Sequence, residues 1–152
     1  MTTDPVDVVG GGLAGCEAAY QLASRGIPTR LFEMRPARLT GAHEGSGLAE
    51  LVCSNSLGSE APVTAPGAFK SELAALGSLL MLAADRCRVP AGSALAVDRG
   101  RLSAEVARIL GSLDTLEVVR EEVTELDRWA HRPGILASGP LSSPPLAEAL
   151  GR

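Results

Sequence analysis

The feature that most constrains this chain is a glycine-rich turn near its N-terminus. Residues 6–15 read VDVVGGGLAG, an apolar, β-branched run that breaks into glycines. Gly10, Gly12 and Gly15 have the GxGxxG spacing. The first glycine permits a tight turn, the second lets a pyrophosphate approach the backbone, and the third lets the next helix pack closely on the strand. The sequence therefore predicts a buried parallel strand, an anion site at a helix N-terminus and a dinucleotide ligand.

The residues after the glycines support this interpretation. A helix is predicted from Cys16 to Arg25, because small apolar side chains recur on one face and Gly26 supplies a C-terminal stop. A second strand is predicted from Pro28 to Glu33, and Glu33 follows Gly15 by 18 residues. An acid close to this position, at the tip of the second strand, is suited to bind a ribose diol. An ordinary glycine-rich turn is the weaker alternative.

Composition places the chain among soluble globular domains. The chain has 152 residues, of which 45% are hydrophobic, 21% are charged and only 3% are aromatic. The core must therefore be built from Leu, Val and Ala. The net charge of −4 does not indicate a generally basic surface of the kind that binds nucleic acid.

The same considerations predict a cytoplasmic protein. Residues 1–5 contain neither the basic nor the apolar segment of a secretion signal. The most apolar stretch, 74–84, is too short for a membrane span and is interrupted by Gly77 and Ser78. The three cysteines, an odd number, are widely spaced and form no CxxC pair; they are Cys16, Cys53 and Cys87. We therefore expect neither a disulfide framework nor a metal site, and we expect a reducing compartment.

The rest of the chain alternates between loops and regular elements. A long loop is predicted over about residues 36–66, where glycines, prolines and polar residues predominate. An amphipathic helix is predicted over Ala68–Arg86, with apolar residues at helical spacing. The later predicted elements are a buried strand at Ala94–Val97, a helix at Arg101–Leu113 capped by Asp98 or Ser103, strands at Leu116–Val119 and Val123–Leu126, a strand from Gly134 that runs into a glycine turn, and a helix at Ser142–Leu150.

Together these elements predict an α/β, Rossmann-like domain over residues 1–152. A central parallel sheet begins with Val6–Val9 and Pro28–Phe32. The short strands near residues 116–126 are predicted to form a small additional set. The loop at about 36–66 is the predicted active-site loop.

Several stretches together resemble one family, the folate- and FAD-dependent tRNA (uracil-5-)-methyltransferases. The first stretch is shared by many flavoproteins, whereas EMRP followed by ELVCSNSL and then ALAVDR is far more specific. They cover nearly the whole chain and read, in order, VVGGGLAGCEAAYQLASRGIP, LFEMRP, AELVCSNSL, GSLLMLAADRCRVPAG, ALAVDR, EVVREEVTEL and ASGPL.

The resemblance implies an FAD-binding domain in a tRNA-modifying flavoenzyme. The ADP half of FAD would be held by Gly10, Gly12, Leu13, Ala14, Gly15, Glu33, Met34 and Arg35. A carbon from 5,10-methylenetetrahydrofolate, carried through the flavin and reduced with electrons from NAD(P)H, would methylate a T-loop uridine of tRNA at C5. The tRNA partner rests on the resemblance alone.

Cys53 is the predicted catalytic residue, because it falls on the cysteine of the ELVCSNSL motif. A thiolate that adds to C6 of uracil makes C5 carbanion-like and able to accept a one-carbon unit. From the residues alone, a small structural cysteine is the favoured alternative. The resemblance places a second catalytic cysteine in a region beyond Arg152.

Three other residues have two interpretations each. Arg35 either contacts the adenosine phosphates or holds the loop. His43 either meets flavin or substrate or, as favoured here, is an exposed loop histidine. Cys16 lies in the first helical turn, where the dipole favours a thiolate, but packing of a small side chain is favoured.

The chain departs from the resembled family in two ways. Residues 42–49 read AHEGSGLA where members read close to AHHTDKFA. Members are also much longer, so the resemblance implies an N-terminal portion with a fold incomplete at its C-terminus and little or no activity alone. Two alternatives stay open: a truncated FAD- or dinucleotide-binding module without catalysis, and a related tRNA-modifying or general FAD-dependent oxidoreductase.

Overall fold

A computed structural model describes residues 4–151 and contains two sheets. Residues 1–3, on which the expected absence of a secretion signal partly rests, lie outside the described residues. The strands are β1 (Val6–Val9), β2 (Thr29–Phe32), β3 (Ser56–Ser59), β4 (Arg88–Val89), β5 (Ala94–Val97), β6 (Leu116–Val119) and β7 (Gly134–Leu136). The helices are α1 (Leu13–Ala23), α2 (Ala65–Ala75), α3 (Leu79–Arg86), α4 (Arg99–Leu110) and α5 (Pro144–Leu150).

The larger sheet is parallel and has the strand order β6-β2-β1-β7. Val8 of β1 lies opposite Leu31 of β2 and Ile135 of β7. The turn that follows β1 lies at the carboxyl edge of the sheet. Because β1 has a neighbour on each side, this turn lies between the ends of β2 and β7. The predicted Rossmann-like fold with a central parallel sheet is confirmed.

The two faces of this sheet are covered differently. One face packs its apolar side chains, such as Val8 and Leu31, into the main core with α1, α3 and α4. The other face carries Val9 and Phe32, which form a smaller cluster with Val123 and Leu146. Alternation of side chains along a strand explains why neighbouring residues enter different clusters.

The predicted single helix over Ala68–Arg86 is wrong, because two helices, α2 and α3, meet there at an angle of 106°. Gly77 adopts a φ of 74°, which ends α2, and the Ser78 hydroxyl accepts the N–H of Met81 to begin α3. The break leaves Leu76 72% exposed and buries Leu79 completely, so the continuous apolar face read from the sequence does not exist.

The small additional set of strands exists, but not at residues 116–126. Leu116–Val119 joins the main sheet beside β2, and Val123–Leu126 forms no strand. The smaller sheet is instead the antiparallel β3-β5-β4. The predicted loop over 36–66 is therefore too long, because β3 pairs with β5 from Ser56 onwards. Short polar strands such as SLGS lack the apolar alternation that would reveal them in a sequence.

Among the described residues, no single helix has both the length and the apolar composition needed to cross a bilayer. The bent α2–α3 pair meets those two criteria only when its two helices are taken together.

Candidate functional site: a cavity at the glycine turn

The glycine turn between β1 and α1 has a separate steric requirement at each motif position. Gly10 has a φ of 109°, and a Cβ there would lie 2.5 Å from the carbonyl oxygen of Ala137. A Cβ on Gly15 would overlap the carbonyl oxygen of Gly10, so α1 reaches the turn only with glycine in this place. A Cβ on Gly12 would meet no atom within 4 Å. The first and third glycines therefore serve the fold, and the second leaves free space.

The free space beside Gly12 adjoins the N-terminus of α1. Gly12 is the N-cap of this helix, and in the described residues no side chain caps it. The first N–H groups of a helix have no partner within the helix and carry the positive end of its dipole. Leu13 and Ala14, in that first turn, line the adjoining cavity. This end of α1 is therefore arranged to receive an anionic group.

Glu33, directly after β2, is joined to the glycine turn and to Arg35. Its Oε2 accepts the N–H of Gly11 at 2.9 Å and Nη2 of Arg35 at 3.1 Å. Its Oε1 accepts the backbone N–H and Nε of Arg35, both at 2.9 Å. Burial opposes ionisation of Glu33, but these hydrogen bonds and the guanidinium charge outweigh it and hold its pKa below the ordinary value.

Arg35 is only 1% exposed and links Glu33 to the following loop. Its Nη1 donates to Oε2 of Glu50 at 2.7 Å. Glu50 also accepts the N–H groups of Glu44 and Gly45, and these bonds outweigh partial burial and lower the pKa of Glu50. Of the two interpretations of Arg35, the loop-holding one agrees with these contacts.

These elements enclose a cavity of about 320 Å³. The glycine turn forms one wall, the end of β2 a second, and the segments after β6 and β7 the others. His43 also lines the cavity, with its Nδ1 2.6 Å from the Thr40 hydroxyl. It is half-buried, whereas the favoured interpretation is a solvent-exposed loop histidine. The predicted residues that line the cavity are Gly10, Gly12, Leu13, Ala14, Glu33, Met34 and Arg35, while Gly15 lies behind the turn.

Cys53 does not line this cavity. It is exposed and borders a separate open groove with Asn55, Asp98 and Arg99, whereas its neighbour Val52 reaches the glycine-turn cavity. The structure thus places the predicted nucleophile one residue away from the cavity wall, accessible to solvent.

Cys16 is a packing residue. It is fully buried, and its thiol donates to the carbonyl oxygen of Gly11 at 3.3 Å. Burial raises the pKa of the Cys16 thiol to about 12, so the helix dipole does not produce a thiolate here. Burial also raises the pKa of Cys87, the other buried cysteine.

Several residues of the site were not identified from the sequence. Gly11 is one: a Cβ there would lie 2.5 Å from the Glu33 carboxylate, and its carbonyl accepts the N–H of Ala49 at 2.8 Å. Glu50 and Arg120 are others, since Arg120 donates to the carbonyls of Arg35 and Ser46. The triple glycine was a usable signal for Gly11. The two others depend on contacts between distant segments.

In residues 4–151, no group of three or more His, Cys, Asp or Glu side chains is placed to share a metal ion.

The fold and the cavity define a Rossmann-like dinucleotide-binding domain. The chain belongs to the family described as glucose inhibited division protein A, whose model matches residues 5–141. Among curated proteins, it is 50% identical over 150 residues to one from Bacillus cereus (strain G9842) and 55% identical over 148 residues to one from Geobacter sulfurreducens. Both are named methylenetetrahydrofolate-tRNA-(uracil-5-)-methyltransferase TrmFO, which confirms the predicted resemblance.

The chain spans about a third of the length of these relatives. The two matches cover 99% and 97% of this chain but 34% of each relative. Among solved structures, Aquifex aeolicus GidA matches 80% of this chain and 20% of its own, with a TM-score of 0.63 and 22% identity. The p-nitrophenol 4-monooxygenase PnpA from Pseudomonas putida matches 82% of this chain and 33% of its own, with a TM-score of 0.51 and 18% identity. Both similarities support the fold.

Proposed function

We propose that this chain is the FAD-binding portion of a flavoenzyme that methylates a T-loop uridine of tRNA at C5. In this proposal the carbon comes from 5,10-methylenetetrahydrofolate and the electrons come from NAD(P)H. The observation that carries the proposal is the open space at Gly12, beside an uncapped N-terminus of α1 in the described residues. The names of the relatives supply the tRNA and folate parts.

The chain's own residues would hold the ADP half of the cofactor. The pyrophosphate would lie over Gly12 against the first turn of α1, and the adenosine ribose would reach Glu33. Met34 and the segment around Val123 would lie beside the adenine base, since both line the cavity. When bound, the flavin would supply the redox chemistry that transfers and reduces the one-carbon unit.

Cys53 is proposed as the nucleophile toward C6 of the uracil ring. Two observations support this role: its place in the ELVCSNSL motif and its solvent-accessible position next to Val52, which lines the cavity. An exposed thiol can meet a macromolecular substrate, whereas the buried Cys16 and Cys87 cannot.

FAD binding by the purified chain tests the proposal, with Gly12→Val as the diagnostic variant. Gly12 has a φ of −74° and free space around its Cβ position, so valine changes folding stability by only about 1 kcal/mol, the cost of a poorer N-cap. The added methyl groups occupy the pyrophosphate position. We expect FAD affinity, measured by flavin fluorescence and calorimetry, to fall at least tenfold.

Gly100→Val is the matched control. A Cβ on Gly100 would meet only Oδ1 of Asp98, at an ordinary contact distance of 3.6 Å, and Gly100 lies in α4 and does not line the cavity. It should bind FAD like the unaltered chain. Failure of the unaltered chain to bind FAD, or unchanged FAD affinity of Gly12→Val, would contradict the proposal.

A second candidate is a dinucleotide-binding module that performs no chemistry. The position of Cys53 outside the cavity favours it. Methyl transfer to a tRNA transcript, with methylenetetrahydrofolate and NAD(P)H supplied, separates the two. Turnover that disappears in Cys53→Ala supports the enzyme, and FAD binding without turnover supports the module.

A further inference from the structure

The carboxylate of Glu33 is saturated with hydrogen bonds from the protein. Each of its two oxygens accepts two bonds, and three of the four donors belong to Arg35. A carboxylate offers about four lone-pair positions. No position is left for a ribose hydroxyl while Arg35 keeps its place, even though Glu33 lines the cavity.

We propose that Arg35 is a latch that competes with the ribose diol for Glu33. Binding of a nucleotide exchanges the two side-chain bonds from Nε and Nη2 of Arg35 for two bonds from the 2′ and 3′ hydroxyls. The two backbone donors to Glu33, the N–H groups of Gly11 and Arg35, stay in place. This inference rests on the proposed function, because it takes Glu33 as the ribose-binding acid.

Movement of Arg35 is transmitted to residues 36–50, here called the latch loop. Nη1 of Arg35 donates to Glu50, which in turn accepts the N–H groups of Glu44 and Gly45. Arg120 ties the carbonyl of Arg35 to that of Ser46, at 3.0 and 2.9 Å. Through Glu50, the side chain that saturates Glu33 therefore contacts the loop that carries His43 into the cavity, whereas Arg120 holds the backbone of that loop.

In this exchange Glu33 keeps four hydrogen bonds. Nε and Nη2 of Arg35 lose their carboxylate acceptor and are hydrated instead, while Nη1 keeps its bond to Glu50. A sugar with a single hydroxyl replaces only one of the two hydrogen bonds between Arg35 and Glu33. The bidentate guanidinium therefore stays bound to Glu33 in the presence of such a ligand. The latch thus requires a ribose with both hydroxyls free and does not respond to a deoxyribose.

Trypsin provides a specific readout of the latch loop. Arg38 is the only Lys or Arg between residues 36 and 69. Trypsin does not cleave the Arg35–Pro36 bond, because a proline follows the arginine. Arg38 is held by an ion pair with Glu122 at 2.9 Å. With saturating ADP we expect cleavage after Arg38, followed by mass spectrometry, to accelerate several-fold. Saturating 2′-deoxy-ADP should leave it unchanged.

Arg35→Lys tests the competition directly, because lysine keeps the charge and loses the bidentate fork. We expect this variant to bind ADP several-fold more tightly, with rapid cleavage after Arg38 already without nucleotide. Arg30→Lys is the control, since Arg30 makes a similar bidentate pair with Asp7 and does not line the cavity. It should change neither quantity.

The outcomes separate the latch from the proposed function. ADP binding with unchanged or slower cleavage after Arg38 overturns the latch alone, as does weaker ADP binding by a folded Arg35→Lys. Absence of both ADP and FAD binding overturns the proposed function and the latch together. If Arg35→Lys does not fold, the comparison of ADP with 2′-deoxy-ADP on the unaltered chain decides.

Discussion

Asp7 shows how a single residue ties the first strand to distant parts of the chain. It is completely buried, yet its carboxylate accepts two bonds from Arg30, one from Arg132 and one from Nε1 of Trp129. Trp129 also packs edge-on against Phe32, at 6.4 Å between ring centres. Burial opposes ionisation of Asp7, but its partners outweigh it and lower its pKa. The cluster fixes the segment that leads into β7.

We expect Asp7→Asn to destabilise the chain by about 3–5 kcal/mol, because it leaves two arginines without their buried counter-charge. Urea unfolding followed by the fluorescence of Trp129, the only tryptophan, measures this. Because the folded pKa of Asp7 is below its unfolded value of about 3.9, its contribution is complete above that pH and is lost as pH falls through the folded pKa.

Acid unfolding of Asp7→Asn should accordingly depend less steeply on pH below about 4 than that of the unaltered chain. Asp127→Asn is the matched control, since Asp127 is exposed in the same region as Trp129. It should have little effect on either measurement. If Asp7→Asn has the same free energy of unfolding at pH 7 as the unaltered chain, the cluster makes no net contribution to stability.

Among the elements, α3 depends on a cap supplied by another helix. The Glu17 carboxylate of α1 accepts the Ser78 hydroxyl at 2.7 Å and the N–H groups of Leu79 and Leu80 at 3.2 and 3.0 Å. A negative charge at this end also complements the helix dipole. Glu17 thereby fixes the bend between α2 and α3 against the rest of the domain.

Glu17→Ala should lower the free energy of unfolding by about 1–2 kcal/mol, the range of a lost N-terminal cap. Glu72→Ala, at an exposed position on α2, is the control and should change it by less than about 0.5 kcal/mol. Chemical denaturation monitored by circular dichroism compares the two. Equal effects would mean that the cap is energetically unimportant.

The elements also show which parts of the fold and of the candidate site can be predicted from the sequence. The β1–α1–β2 unit and Glu33 were predicted because their signals are local: β-branched runs, glycine spacing and an acid at a fixed distance. The break at Gly77 was missed because apolar residues kept helical spacing across it. Glu50, Arg120 and Glu17 were missed because their roles arise only where separate segments meet. The β3-β5-β4 sheet was missed because two of its strands are short and polar.

For the whole molecule, β7 forms one open edge of the main sheet. It pairs only with β1 among the described strands, and Ile135 and Leu136 are 37% and 43% exposed. Leu150 of α5 is also exposed beside them, around an apolar hollow of about 310 Å³. Exposed edges with apolar side chains are templates for association between chains.

We expect Leu136→Lys to reduce aggregation of the chain on heating, because charges on edge strands oppose edge-to-edge pairing. Light scattering during a thermal ramp is the measurement. Leu76→Lys is the control: Leu76 is 72% exposed but lies at the C-cap of α2, away from the sheet edge. If both variants reduce scattering equally, surface charge rather than the β7 edge controls association.

The contact between Gly10 and Ala137 has a consequence for biosynthesis. The first strand receives β7 as a neighbour, with the N–H of Ala137 bonded to the carbonyl of Val9 at 2.8 Å, and the segment after β7 closes the cavity. A ribosome releases the glycine motif long before it releases that segment. The emerging chain therefore carries the glycine motif before the cavity exists, and we expect no nucleotide to be held there until the segment after β7 has been synthesised.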